Sequence, residues 1–341
     1  MELTEMEKSP NKPYKWIAAE IEKLDPYKDY EKIYRLSVAY SGTADFMNHL
    51  IYTLTFPNFI VTQHGAQAVW RVDGGKVLHK AVARQEDTEM MNSTWWYYGP
   101  SDPRCQASVA KLNKIHAALA LQTPGAFSHE DDFIYTLGFS ALLMHRFRLR
   151  LGISGISRKE QIANYLFMRE LSKLFVIEGG KKLTWFPEDF ESMVKFVEDY
   201  EAQDFPGSEQ GNLVCLAIFN AFSFRFFPPA LRWLGDALPV ALSMPSTLKA
   251  HKIAPVNPIL GWLIRKFFAL IFLLQQYVLP DNKEANFPIW DGAPPEVKKM
   301  RREEHRRMDK EYTPYFAEKQ GNDKQWSGCP YHVDLQRKAK K

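Results

Sequence analysis

The chain has 341 residues, 45% of them hydrophobic, enough to bury a large core as one big domain or two smaller ones. Its 44 lysines and arginines nearly balance 40 acidic residues, and the absence of a broad basic excess argues against a nucleic-acid binder. Three widely separated cysteines, Cys105, Cys215 and Cys329, lack CxxC spacing; they suggest neither a disulfide framework nor a zinc site and fit a reducing compartment.

The charged start MELTEMEKSPNKPYKW carries no apolar stretch, so no secretory signal is expected. From residue 29 onward helical signatures dominate. DYEKIYRLSVAYS (29–41) places Ile33, Leu36 and Tyr40 at helical spacing, and a second apolar segment over 42–60 ends near Pro57. Gly74-Gly75, inside QHGAQAVWRVDGGKVLHK (63–80), marks either a short hairpin or a helix break. Ser101-Asp102-Pro103 opens a helix that stops before Pro124-Gly125: a side-chain oxygen satisfies free N–H groups, and proline suits the first turn. Ser128-His129-Glu130-Asp131 opens the next, with acids at the positive end of the helix dipole, and that helix runs to Leu151-Gly152.

Ser157 and Glu160 fit a capping box for a helix to about Val176, and Pro187-Glu188-Asp189 opens another. Further helices are predicted over 208–224, 259–279 and 294–311. The most apolar stretch, IAPVNPILGWLIRKFFALIFLLQQYVLP (253–280), is split by Arg265 and Lys266. Its uncharged run falls short of the about 20 residues a span needs, which favours a buried helix or one lying in a membrane interface over a transmembrane one. Strand signals are few and short. The predicted fold class is all-α, with an N-terminal extension over 1–28, a single multi-helix domain over 29–292 and a solvated charged tail over 293–341.

The candidate chemistry centres on three residues. On the 104–121 helix Val109, Leu112, His116 and Leu119 share one face, so the imidazole points inward among apolar neighbours. Neutral imidazole is a good iron ligand, and haem iron is often held by one histidine; a core histidine bonded to a backbone carbonyl fits the same pattern. Arg84 and Thr88 lie four apart in RQEDT (84–88), hence on one face if that stretch is helical. A hydroxyl can hydrogen-bond dioxygen and a guanidinium can pair with a propionate, although an exposed, solvated helix reads the same way. The run Trp95-Trp96-Tyr97-Tyr98 suits either a core or an apolar pocket wall.

His145 is the rival ligand, on a helix whose short connection to the His116 helix would let the two imidazoles approach. HRFRLR (145–150) reads as a solvated helix end, with arginines suited to propionates or to the helix dipole. His64 and His79 fall in turn regions, His305 on a charged helix face, and Cys329-Pro-Tyr-His332 offers too few ligands for a metal.

Taken in order, Arg84-x3-Thr88, then KLNKIHAAL (111–119), then DDFIYTLGF (131–139) resemble the MpaB-type oxygenases of fungal secondary metabolism and the rubber oxygenases that share their catalytic domain. The 29–58 segment and the Trp185-Phe186-Pro187 step resemble the fungal members too, so the likeness covers roughly residues 29–280. It implies a globin-reminiscent helical domain enclosing b-type haem, His116 as the iron ligand, and Arg84 and Thr88 as catalytic groups on the other side, with Arg84 also binding the cofactor. Implied with these are dioxygen and an apolar isoprenoid chain as substrates, and cleavage of a carbon–carbon double bond to carbonyl products. An aromatic channel of Trp95, Trp96 and Phe139 would align the alkene.

Rubber oxygenases carry lysine immediately before the threonine; Asp87 stands there, so a lysine gate is not supported. Fungal members often have an N-terminal membrane helix, and none is visible, which leaves 253–280 as the expected peripheral membrane contact. The expected location is intracellular, cytoplasmic or peripheral to the endoplasmic reticulum. A non-catalytic carrier of haem or an apolar ligand at a membrane surface is the alternative function.

Overall fold

Apolar spacing of three and four residues, with side-chain caps at several helix starts, makes most of the described residues helical. The structure, a computed structural model, describes residues 2–41, 45–71 and 73–322. Among the described residues there is no β-strand, only an isolated bridge between Val176 and Lys182, and the expected all-α class holds. Cys329 and His332 lie outside the described residues.

The N-terminal segment carries α1 (Glu5–Lys8) and α2 (Trp16–Lys23), followed by α3 (Tyr30–Tyr34), which passes into a π-helical turn over Arg35–Ala39. That segment is built into the core. Trp16 packs with Ile33, Leu36 and Tyr40, and the buried Glu7 carboxylate accepts two 2.7 Å bonds from the buried Arg35 guanidinium. Next come α4 (Asp45–Thr55), a 3₁₀ turn over Phe56–Ile60, α5 (Gln63–Trp70) and α6 (Gly75–His79). Gly74 and Gly75 stand at φ of 92° and 53°, a region glycine enters without Cβ strain, and the pair breaks a helix rather than turning a hairpin.

Helices α7 (Ala81–Tyr98) and α8 (Pro103–Ala120) are joined by a short turn and tied by the Trp95 indole N–H, which donates to Ser108 Oγ at 3.0 Å. Then follow α9 (Glu130–Leu151), α10 (Arg158–Ser172) and α11 (Phe190–Glu201). The capping box at Ser157 and Glu160 is present, and Asp189 caps α11 by accepting from Ser192 N at 2.7 Å. Phe167 of α10 stacks on Tyr34, with centroids 3.8 Å apart. Gly138 lets α11 approach α9, since a Cβ there would come within 3.1 Å of Val197.

Helix α12 (Glu209–Phe226) is buried along most of its length and forms the central rod. Around it pack α4, α5, α13 (Arg232–Leu242) and, after α14 (Pro245–Ala250), α15 (Pro258–Tyr277) and α16 (Asn286–Asp291), the long α17 (Pro295–Asn322). The expectation of a solvated tail does not hold over 295–322. Tyr312, Phe316 and Ala317 are buried against α12, on a face where the buried His305, Asp309, Tyr312, Phe316 and Gln320 follow one another three or four positions apart. Helix α17 also completes α7. The N-terminus of α7 has no side-chain cap of its own, and Asp309 accepts from Val82 N at 2.8 Å in that role.

Candidate functional site

Arg84 and Thr88 do share one face of a helix, α7, with Trp95 seven residues beyond Thr88. The Arg84 guanidinium donates to the Tyr52 hydroxyl and lies 4.1 Å from the Phe56 ring centroid, while Thr88 Oγ1 donates back to the Arg84 carbonyl at 3.2 Å. Asp87 is exposed. Most of the five N–H donors of Arg84 have no protein partner among the described residues.

His116 stands on α8, which Asp102 caps by accepting from Arg104 N at 2.9 Å. Its ring lies parallel to Phe127 at 4.5 Å and edge-on to Phe133 at 5.9 Å, so the neighbours across the packing are aromatic rather than aliphatic. The loop bearing Phe127 is fastened from behind: Glu178 N donates to the Phe127 carbonyl at 2.8 Å, and the Glu178 carboxylate accepts from Gly125 N at 2.9 Å. Asn113 pins α8 by donating to the Leu174 carbonyl at 2.9 Å.

The Nδ1 of His116 is buried and has no hydrogen-bond partner, and burial lowers the imidazole pKa to about 4. A neutral ring with an unsatisfied nitrogen is the donor chemistry an iron ligand needs. No hydrogen bond joins His116 to Arg84 or Thr88 among the described residues. The Trp95–Ser108 contact sets the register of the pair. Thr88 lies seven residues before Trp95 on α7 and His116 eight residues after Ser108 on α8, so each is about two turns from that bond.

His145 does not meet His116. Phe133, the α9 residue beside His116, is twelve positions away, about 18 Å along the helix, and the His145 ring packs instead on Phe190 and against Gly155. The expected solvated end of α9 is also corrected. Phe147 is buried, Arg146 makes a bidentate pair with Glu201 at 2.7 Å, Arg148 donates to Gln276 Oε1 at 2.7 Å, and Arg150 donates to the Leu242 carbonyl at 3.1 Å. Trp95 and Phe139 belong to the packed core, where Trp95 meets Phe175 edge-on and Phe139 meets Phe59. Trp96 borders a small cleft with Asn48, Ser93 and Phe287.

That cleft continues past Glu86, Glu89 and Met90 toward Trp290 and Arg301, along the side of α7 opposite Arg84, Thr88 and Trp95. Beneath it lies a charged cluster that the local sequence concealed. Arg225 donates to Asp45 Oδ2 at 2.5 Å and to His49 Nδ1 at 3.0 Å, and approaches His305 Nε2 at 3.4 Å. Arg301 pairs with Glu86 through two 2.8 Å bonds. His305 is therefore a buried member of an interhelical network, not part of a solvated face. Burial, reinforced by Asp45 and Glu86, pushes the Glu89 carboxyl up to about 8 despite the Gln85 amide that donates to it.

His64 and His79 stand in α5 and α6 rather than in turns; His64 Nε2 lies 2.7 Å from Asp132 Oδ2, whose other oxygen accepts from the Tyr200 hydroxyl at 2.6 Å, and its ring stacks on His129. Among the described residues no group of three or more His, Cys, Asp and Glu is arranged to hold a metal ion by itself, so an iron at His116 requires a macrocycle for its other ligands. No family model matches the chain and no curated protein matches it, so the likeness to the MpaB-type and rubber oxygenases stands on the quoted residues alone.

Proposed function

We propose that this chain is a haem b-dependent oxygenase that cleaves a carbon–carbon double bond of an isoprenoid or other apolar chain with dioxygen. The observation that carries the reading is the His116 imidazole, neutral, with Nδ1 unsatisfied, set between Phe127 and Phe133; His145 Nδ1 is unsatisfied too, but that ring packs on Phe190 and Gly155, well along α9 from Phe133. The donor chemistry suits an iron ligand: the imidazole needs no proton removed at neutral pH, and the two phenyl rings fix its plane. Bound haem supplies the redox and oxygen chemistry, while the protein supplies ligation, orientation and exclusion of water.

Arg84 is held by Tyr52 and Phe56 with most donors free, so it provides a fixed positive charge for a propionate or a polar substrate end. The Thr88 hydroxyl bonds only within its own helix and can turn outward to donate, since a back-bonded threonine gives up little by rotating about χ1. Asp87 is exposed and takes no part.

Titrating the purified chain with haemin tests this directly. A Soret band is expected in wild type and in His145→Ala but not in His116→Ala, and carbon monoxide should shift the reduced spectrum. Prenylated substrates should then yield oxygen-dependent aldehydes. Folded wild-type protein that takes up no haem refutes the proposal; haem uptake without turnover assigns the chain to the carrier class.

A further inference from the structure

Helix α15 is apolar over most of its surface but only partly covered. Gly261, Ile264, Phe268 and Ala269 face the core formed with α13 and the end of α9. On the other side Ile259, Trp262, Leu263, Phe267, Leu270 and Leu274 follow one another at helical spacing, with relative exposures of 71%, 54%, 52%, 60%, 54% and 37%. Soluble monomers rarely present so continuous an apolar strip unless something binds there. The strip ends at Tyr277, exposed by 68%, and the neighbouring α13 carries Trp233, exposed by 59%. Amphipathic aromatics of this kind prefer the boundary between hydrocarbon and water.

We infer that the outward face of α15 is a monotopic membrane-docking surface, lying flat in the headgroup region of an anionic bilayer. The charges around it select that occupant. Helix α15 contains Arg265 and Lys266 and no acidic residue. Lys266 springs from the apolar strip, yet its Nζ lies within 3.6 Å of where a Cβ on Gly152 would stand, so the ammonium is drawn aside toward the C-terminus of α9. Arg148 reaches α15 at Gln276, whereas Lys15, which reaches the Gln275 carbonyl, is already paired with Asp281 at 3.2 Å and adds no free charge. Cations beside an apolar strip complement anionic headgroups. A twofold pairing of two copies through the same strip would instead set these cations against their own equivalents.

The helix is 20 residues long and long enough to cross a bilayer. Crossing would tear Ile264 and Phe268 from the core, break the Arg265 bond to the Ala241 carbonyl and draw two cations into hydrocarbon. Lying flat, the helix leaves its inward packing intact and buries the strip about 5–10 Å deep.

The test uses the full-length chain and sedimentation with vesicles of phosphatidylcholine, with and without phosphatidylserine as about a third of the lipid. Wild type should bind the anionic vesicles more tightly, and salt should weaken that binding. The double variant W262S/F267S, altered only at exposed positions, should keep its far-ultraviolet dichroism and melting temperature but lose at least about tenfold in partitioning. Fluorophores at Leu263→Cys and Leu274→Cys, in a chain carrying C329S while Cys105 and Cys215 stay buried, should report equal depth. A spanning helix would separate them by about 16 Å.

Failure of wild type to bind, equal binding by the double variant, or unequal depths overturns the inference. So does a wild-type dimer that W262S/F267S converts to a monomer without any vesicle binding, which would give the face to a second copy. Haem uptake plays no part in these readouts, so they stand or fall separately from the proposed function.

Discussion

Replacing His116 by phenylalanine separates a ligand held in readiness from an ordinary core histidine. An unsatisfied buried nitrogen costs about 1–3 kcal/mol, and a phenyl ring keeps the stack on Phe127 and the edge contact with Phe133 while removing that nitrogen. After allowance for the slightly larger ring, the haem-free variant is expected to be more stable than wild type by about 1 kcal/mol at neutral pH.

Acid should widen the gap. The buried imidazole stays neutral until about pH 4, whereas in the unfolded chain it protonates at its ordinary 6.5. Between those values the unfolded state binds the extra proton, so wild-type stability falls as pH drops below 6.5, and above 6.5 the group contributes no slope. The full window corresponds to about 3 kcal/mol, and partial exposure of the ring reduces the expected loss to about half of that. Urea denaturation of both haem-free proteins at neutral pH and near pH 5 measures the two effects. A variant less stable than wild type at neutral pH, or two stability curves running parallel into acid, would refute the reasoning, because either result means that the imidazole is satisfied in the fold.

Glu7→Ala should cost about 3–5 kcal/mol in chemical denaturation by stranding the buried Arg35, and a Glu7→Met/Arg35→Leu pair should recover most of that loss; a cost below about 1 kcal/mol would show that α1 is dispensable. Phe316→Ala should lower stability by about 3–5 kcal/mol and expose α17 to limited proteolysis, whereas a solvated tail would lose nothing. Glu89→Gln should be stabilising at pH 8 by about 1–2 kcal/mol and nearly neutral near pH 5. The native carboxyl, raised to about 8 by burial, binds a proton that the unfolded chain releases at its ordinary 4.5, so wild type loses stability as pH rises through that window. Thermal melts at the two pH values would show a gain of the opposite pH dependence if the carboxylate is in truth ionised and paired.

Local chemistry announced itself well in this sequence. Ser157 with Glu160, Asp189 and Asp102 each cap the helix their spacing suggests, because a cap involves only residues within one turn. Helix α13 escaped notice: Pro228 and Pro229 precede it and Pro239 lies inside it, and both features ordinarily argue against a helix. The charged cluster escaped for another reason. Arg225, Arg301 and His305 resemble solvated residues of their own helices, and only partners 80 to 256 positions away bring them out of water. Of the site itself, the faces of α7 and α8 were legible as periodicity, whereas the aromatic nest of His116 was not, since Phe127 comes from a loop placed by Glu178.

The cap that Asp309 lends to α7 has a consequence for how the molecule is made. Synthesis runs from the N-terminus, and the carboxylate that satisfies Val82 is encoded 227 residues later. At about 5–20 residues per second, the first turn of α7 leaves the ribosome roughly ten to fifty seconds before its partner exists. Arg84 lies at the edge of that turn, and a nascent chain arrested ahead of residue 309 would carry Arg84, Thr88 and His116 without the carboxylate that closes the first turn of α7.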